Sequence, residues 1–215
     1  MTIKRRARSA DDKQQRREQI LQAANRLAAG HSFASFSMAE LAEVCGLAKG
    51  TLYLYFATKE ELFLALLEGH LGNWFADLRA NLQQQPIWSA EQASRTISAT
   101  LTQHGELIRL LPIASSILEQ NISLSAARTY KEHLLEWCAA AAPELEQRIG
   151  LAEGDGVWLL LQIYALVVGL GQMADPSPVV REVLNDDHMA PLRVDFAPSF
   201  QRVLFTLICG LKQTP

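Results

Sequence analysis

The sequence of 215 residues predicts an all-α protein, and two observations support that prediction. Apolar residues recur at helical spacing along most of the chain, and no segment alternates like a strand bounded by hairpin turns. Ser or Thr precedes Glu or Gln by three residues at Ser37, Thr58 and Ser89, a pattern typical of helix starts. We expect about nine or ten helices.

The charge is unevenly distributed along the chain. Residues 1–60 carry ten Lys and Arg against six Asp and Glu, whereas the rest carries ten against seventeen, in agreement with the formal net charge of −3. A basic head on an acidic body favours a nucleic-acid-binding module joined to a domain that stays off nucleic acid. The composition, 49% hydrophobic and 20% charged, is that of a globular protein.

The three cysteines, Cys45, Cys138 and Cys209, are far apart and odd in number. They form neither a disulfide framework nor a zinc spacing, which favours a reducing cytoplasm. The chain begins Met-Thr-Ile-Lys-Arg-Arg with no apolar segment behind the charges, so we expect no signal peptide.

The stretch from Ser37 to Leu67 reads as helix, turn, short helix and long helix. An apolar stripe follows Ser37, and Gly46 then permits the left-handed backbone of a sharp turn. In the short helix we expect Ala48, Leu52 and Phe56 to face inward. The pattern is that of a helix-turn-helix, whose second helix enters the DNA major groove, although an ordinary helical hairpin has the same spacing.

The outward positions of the short helix suit contact with a duplex. Two tyrosines and a leucine are costly on a bare solvated surface. Hydroxyl groups can donate to phosphate, Lys49 can reach phosphate or a guanine edge, and Leu54 can touch a thymine methyl. Gly50 lets the helix start approach the duplex.

The basic residues at 1–13 read as a disordered arm in the free protein, with Lys4, Arg5, Arg6, Arg8 and Lys13 among almost no apolar residues. On DNA such an arm can follow phosphates or enter the minor groove. The first helix is predicted at about 14–29, and the domain that it opens at 14–60.

The head carries a specific resemblance. The sequences Ile20-Leu21-Gln22-Ala23-Ala24, Ala39-Glu40-Leu41-Ala42 and Gly50-Thr51-Leu52-Tyr53-Leu54-Tyr55-Phe56-Ala57-Thr58-Lys59-Glu60-Glu61-Leu62 resemble the DNA-binding domain of the TetR family of bacterial transcriptional repressors. The resemblance covers about fifty residues, the size of a small three-helix DNA-binding unit. It implies a TetR-like fold, with a larger helical ligand-binding and dimerisation domain at 61–215.

The resemblance also implies roles for single residues. Thr51, Tyr53, Tyr55 and Lys59 would contact phosphates, whereas Lys49, Gly50 and Leu54 would lie where bases are read. Ala48 departs from the Ser or Thr usual in the family, so Ser37 would have to supply more of the phosphate contact or cap. The predicted DNA-binding residues are Ser37, Lys49, Gly50, Thr51, Tyr53, Leu54, Tyr55 and Lys59.

Beyond the head we expect helices at about 58–82, 89–101, 106–121, 125–142, 155–174 and 195–211. Pro112 would bend or divide the third of these, and Pro143 would close the fourth. The uncharged run at 156–174 approaches the length of a membrane span. Its glutamines and acidic flanks argue against one, and we expect the helices near 156–174 and 196–211 to form a homodimer interface.

No catalytic or metal-binding motif stands out, so we predict no enzyme activity, no catalytic residue and no cofactor. The run from Gly169 to Ala174 matches the dinucleotide fingerprint by letters, but it ends a helical segment instead of following a strand.

In a TetR-like protein the middle helices surround a small-molecule site, which here the resemblance implies. The candidate ligand-binding residues are Trp74, His104, Arg109, Tyr130, Trp137 and Tyr164. The function expected is a ligand-responsive repressor that binds an inverted-repeat operator in double-stranded DNA as a homodimer. An alternative is a helical small-molecule-binding protein whose head engages a protein partner.

Overall fold

The computed structural model describes residues 2–84 and 87–213, which fold into α-helices and two 3-10 helices without a strand among them. The all-α prediction is confirmed. The α-helices are α1 (Thr2–Ala28), α2 (Met38–Val44), α3 (Lys49–Tyr53), α4 (Lys59–Leu82), α5 (Ala90–Gln103), α6 (Gly105–Ala114), α7 (Leu124–Ile149), α8 (Asp155–Ala174), α9 (Pro178–Leu184) and α10 (Phe196–Leu211). The 3-10 helices are Leu118–Gln120 and Asp187–Leu192.

Helix α1 begins at Thr2 instead of near Gln14, so the segment expected to be a disordered arm at 1–13 is helical from residue 2 onward. Residue 1 lies outside the described residues. The physical reason is local: Lys, Arg and Ala make up most of this segment and neither Pro nor Gly interrupts it. Its role on DNA stays a prediction.

The head packs α1, α2, α3 and the start of α4 around a small core. Ile20, Leu41 and Leu52 are fully buried there. Ser37 caps α2 as predicted, since its hydroxyl accepts from the backbone N–H groups of Ala39 and Glu40. Gly46 has a φ of 64°, the left-handed conformation that the turn before α3 requires.

One detail of the predicted head is wrong. Ala48 does not face inward: it is exposed and occupies the N-cap position of α3, without a side-chain hydrogen bond. Its backbone is extended, so its side chain leaves the helical stripe, and Leu47 packs against the core instead. Leu52 is therefore the buried residue of α3 itself, and Phe56, just beyond the end of this helix, is also buried.

Helix α4 leaves the head and crosses the second domain. The hydroxyl of Thr58 accepts from the N–H of Glu61, which confirms the predicted helix start. Eleven of its residues are buried, from Leu62 near the head to Leu82 at the far end. The same helix therefore contributes to the core of both domains.

In the second domain, α7 runs through Pro143 instead of ending there. Proline removes one backbone donor, but Ala141, Ala142 and Leu145 are buried on either side of it. This packing holds the helix to Gly150, whose φ of 74° ends it. Helix α6 ends at Ala114, two residues after Pro112, and a 3-10 helix at Leu118–Gln120 follows. The segment predicted at 106–121 is therefore divided, one of the two outcomes expected for Pro112.

Glycines let α8 approach its neighbours closely. A Cβ at Gly156 would lie 2.4 Å from the carbonyl oxygen of Ala142 in α7, and one at Gly171 would lie 3.0 Å from the carbonyl oxygen of Ile108 in α6. The glycine pattern that resembles a dinucleotide fingerprint thus serves helix packing at Gly171. The carboxylate of Glu146 accepts hydrogen bonds from the N–H groups of Gly154 and Gly156, both at 2.9 Å. It thereby satisfies two backbone donors at the start of α8.

Helix α8 is long and apolar enough to span a membrane by length and composition alone, with a mean hydropathy of 1.8. Within the single chain it is not buried on every side. Helix α8 packs against α10, and the exposed apolar residues of the two helices are Val157, Trp158, Leu161, Tyr164, Met173, Val203 and Phe205. This pair of helices leaves a large apolar surface uncovered in the protomer.

We predict that Gly156→Ala lowers the free energy of unfolding by about 1–3 kcal/mol, because the new methyl group would overlap the backbone of α7. The matched control is Gly69→Ala in the exposed middle of α4, where no atom lies within 4 Å of a Cβ. It should be neutral or stabilising by up to about 1 kcal/mol. Denaturant melts of both variants measure the difference, and equal stabilities would contradict the close packing of α7 and α8.

Candidate nucleic-acid interface and internal cavity

The outer surface of α3 is not covered by other described residues of the chain. Lys49 and Gly50 are exposed, Leu54 is 75% exposed and Tyr53 is 38% exposed. A Cβ at Gly50 would meet no atom within 4 Å, so the fold itself does not require glycine there. An exposed leucine beside an exposed tyrosine and lysine is the composition of a contact surface.

The other predicted DNA-binding residues lie at the border of this surface. Thr51 and Tyr55 are half-buried, and Tyr55 packs against the head core. Ser37 is half-buried, and its hydroxyl accepts from two backbone donors of α2, so it acts first as a helix cap.

Lys59 has an internal role that its sequence position did not indicate. Its ammonium nitrogen donates to the carbonyl oxygens of Phe33 at 2.6 Å and Phe36 at 3.2 Å, and lies 4.3 Å from the centre of the Phe33 ring. Both phenylalanines pack edge-on against Phe63 of α4. Lys59 therefore fastens the loop between α1 and α2 to α4.

Arg109 joins α6 to the end of α1. Its guanidinium donates to the carbonyl oxygens of Ala28 at 2.9 Å and His31 at 2.7 Å, and it pairs with Glu106 of its own helix. Ala28 is the last residue of α1, where a cation is favourable, and His31 lies in the loop that follows.

A second polar bridge joins the start of α4 to the start of α7. The carboxylate of Glu61 accepts from the N–H and hydroxyl of Ser123, at 3.0 Å and 2.8 Å, and from the N–H of Ala57. Thr58 donates to the carbonyl oxygen of Asn121 at 2.9 Å. Partial burial raises the pKa of Glu61, but the hydrogen bonds outweigh it and the net shift is downward.

The second domain contains a cavity of about 190 Å³. It is lined by Leu71, Trp74, Phe75, Leu101, Leu107, Leu111, Tyr130, Lys131, Leu134, Cys138, Leu160, Leu161, Ile163, Tyr164 and Val167. The lining comes from α4, α5, α6, α7 and α8 and is mostly apolar, as in small-molecule sites. The indole N–H of Trp74 donates to the hydroxyl of Thr100, so this ring is fixed in place.

Three of the six predicted ligand-binding residues line this cavity, namely Trp74, Tyr130 and Tyr164. Trp137 does not: it stacks on Phe75, and its ring lies 3.1 Å from the position of a Cβ at Gly72. His104 pairs with Asp77 at 2.7 Å, and Arg109 is turned toward α1. The predicted orienting role of His104 and Arg109 is therefore not supported by their placement.

The sequence reasoning missed Lys131 and Cys138 as lining residues. Lys131, Leu134 and Cys138 stand at helical spacing on α7, which is the sequence signal that could have placed them on one face. Burial raises the pKa of the Cys138 thiol, so less of it is thiolate. Within the described residues, no group of three His, Cys, Asp or Glu is placed to hold a metal ion.

Comparison with known proteins agrees with this geometry. Residues 20–66 match the family described as bacterial regulatory proteins, tetR family, and residues 68–215 match the tetracyclin repressor-like C-terminal domain. The uncharacterized HTH-type transcriptional regulator YerO of Bacillus subtilis is 38% identical over 58 residues, which are 27% of this chain and 20% of that protein. The matched segments span between 20% and 39% of the length of the curated relatives.

Two solved structures share the fold over most of both chains. The transcriptional regulator FadR from Bacillus subtilis, in complex with stearoyl-CoA, has a TM-score of 0.51 at 19% identity and covers 88% of this chain and 97% of its own. A TetR/AcrR-family regulator from Thermobifida fusca has a TM-score of 0.56 at 15% identity, with coverages of 89% and 97%.

The helix-turn-helix head and the family matches define a DNA-binding regulator of transcription, a class of regulators and not of enzymes. The chain belongs to the TetR family.

We predict that Lys59→Met lowers the free energy of unfolding by about 1–3 kcal/mol, because two backbone carbonyls lose a charged donor. Lys49→Met is the control, since that side chain is exposed on α3 and its loss should change stability by less than about 0.5 kcal/mol. Thermal melts of both variants measure the effect. An unchanged melting temperature for Lys59→Met would contradict the internal role of this lysine.

Proposed function

We propose that the protein is a ligand-responsive repressor that binds an inverted-repeat operator as a homodimer and leaves it when a small apolar or amphipathic effector fills the cavity. The observation that carries this proposal is that α4 starts beside the uncovered α3 surface and continues into the cavity wall. The protein acts in the cytoplasm, where its DNA target and a reducing environment are found.

In this proposal α3 enters the major groove. Lys49, Gly50 and Leu54 face the bases, and the exposure of all three supports that role. Tyr53, Thr51 and Tyr55 donate to phosphates on either side. Ser37 and Lys59 hold the head in shape and contribute phosphate contacts only with donors that their internal bonds leave over.

The dimer forms when the uncovered apolar surfaces of α8 and α10 pair about a two-fold axis into a four-helix interface. Trp158, Leu161 and Phe205 are each more than 40% exposed in the protomer and would be buried by such pairing. The interface fixes the distance between the two α3 helices, which must match successive major grooves about 34–36 Å apart.

Ligand and DNA are coupled through the two polar bridges. Helix α6 lines the cavity with Leu107 and Leu111 and reaches α1 through Arg109. Helix α7 lines it with Tyr130 and Leu134 and reaches α4 through Ser123. A ligand that favours one arrangement of α6 and α7 by about 1–3 kcal/mol would change DNA affinity by about 5–150-fold.

Selection of random duplex DNA by the purified protein, followed by sequencing, tests the proposal. We expect an inverted repeat, with affinity that falls steeply between low and physiological salt. Repeating the selection with a small-molecule extract of cells should reduce the recovered DNA.

Two variants assign the roles of α3 residues. Tyr53→Phe should weaken binding to all sequences alike because a phosphate donor is lost, whereas Lys49→Ala should alter base preference within each half-site. Enrichment of a single unpaired half-site would contradict the dimer, and no enrichment would contradict DNA binding by α3.

A further inference from the structure

Tyr130 is a buried donor without a partner. Its side chain is 2% exposed and lines the cavity, yet among the described residues none forms a hydrogen bond with its hydroxyl. The hydroxyl is not sealed by packing, since it is absent from the buried atoms that lack a partner. Because Tyr130 lines the cavity and its hydroxyl is accessible, the hydroxyl is available to donate to a ligand there.

The other polar groups of the cavity wall are already occupied or lie at its edge. The Trp74 N–H is bonded to Thr100. Tyr164 is 37% exposed and so has access to solvent. The ammonium of Lys131, the one charged side chain among the described lining residues, pairs with Glu119 at 2.6 Å.

The Lys131 ammonium lies 4.9 Å from the centre of the Tyr130 ring, but it is paired with Glu119 and so is not left over for a ligand anion. Burial raises the pKa of Tyr130, and the nearby carboxylates of Glu119 and Glu68 raise it further, so the phenol keeps its proton and donates. Glu119 is held by Lys131, and Glu68 accepts a hydrogen bond from His133. A ligand carboxylate beside Tyr130 would meet two acidic groups and no unpaired cation among the described lining residues.

We propose that the cavity takes an uncharged ligand with an apolar body and one acceptor oxygen, such as a ketone or an ester, and that the Tyr130 hydroxyl donates to this oxygen. This inference rests on the proposed function, because it names the ligand class of the same cavity. The apolar body fills the space between Trp74, Phe75 and the leucines of α6. Tyr130 then selects ligands by the oxygen and the apolar wall selects them by shape.

Three probes of equal chain length separate the contributions: 2-nonanone, its hydrocarbon counterpart 2-methylnon-1-ene, and nonanoate. Quenching of tryptophan fluorescence reports binding, because Trp74 lines the cavity. The wild-type protein should bind the ketone about three- to tenfold more tightly than the alkene, the value of one hydrogen bond. Nonanoate at pH 7.5 should bind at least about tenfold more weakly than the ketone because its charge must be desolvated.

The variant Tyr130→Phe should remove the preference for the ketone and leave the affinity for the alkene unchanged within about twofold, since only the hydroxyl is lost. Tyr53→Phe is the matched control for ligand binding and should keep the preference, because Tyr53 lies on α3 and does not line the cavity. Thermal melts of both variants establish that each is folded.

A ketone preference that survives in Tyr130→Phe would overturn the proposal, as would nonanoate binding as tightly as the ketone or the failure of all three probes to bind. Operator binding without ligand, measured on the same preparations, keeps these outcomes apart from the proposed function. A protein that binds its operator but shows any of these results lacks the proposed ligand class, whereas one that binds no duplex DNA lacks the proposed function.

Discussion

The packing of α4 is the constraint on which the rest of the structure depends. The buried residues of this helix run from Leu62 to Leu82. In the head, its Phe63 packs against Phe33 and Phe36. Farther along, its Trp74 and Phe75 line the cavity. Close-packed interiors do not deform continuously, so a change on one side of such a helix is felt on the other. The head and the cavity can therefore be linked without any flexible joint between them.

Two polar bridges also connect the head to helices that line the cavity. Arg109 binds the carbonyl oxygens of Ala28 at the end of α1 and of His31 in the loop that follows, and Glu61 binds the start of α7. Each bridge joins a cavity-lining helix to the head at a different place. In the proposed function, these two bridges and the packing of α4 are the contacts through which the second domain would set the orientation of the head.

Much of the fold could be predicted from local sequence. Ser37, Thr58 and Ser89 cap the helices that they were expected to start, because an N-cap depends on the side chain and a few adjacent backbone groups. The exposed position of Leu54 also followed from the helical period. Pro143 shows where local rules fail, since burial of Ala141, Ala142 and Leu145 offsets the proline in the helix.

The candidate sites were predicted less evenly, for physical reasons. Lys59 and Arg109 are long side chains whose backbone carbonyl partners lie 23 or more residues away, and no spacing in the sequence brings them together. Aromatic residues on buried helices can face a cavity or a neighbouring helix. Trp74 does the first and Trp137 the second, and the difference is made by Gly72, which lets the Trp137 ring lie against α4. The missing partner of Tyr130 becomes visible only in three dimensions.

The claim that α3 contacts the bases of DNA is tested most directly by a photo-crosslink from this helix. A photoreactive amino acid replaces Leu54, which is 75% exposed on α3, and in a control protein it replaces Leu135, which is 69% exposed on α7. With the selected duplex, position 54 should crosslink to bases within each half-site and position 135 should not. Equal labelling from both positions, or none from position 54, would contradict α3 as the surface that reads DNA.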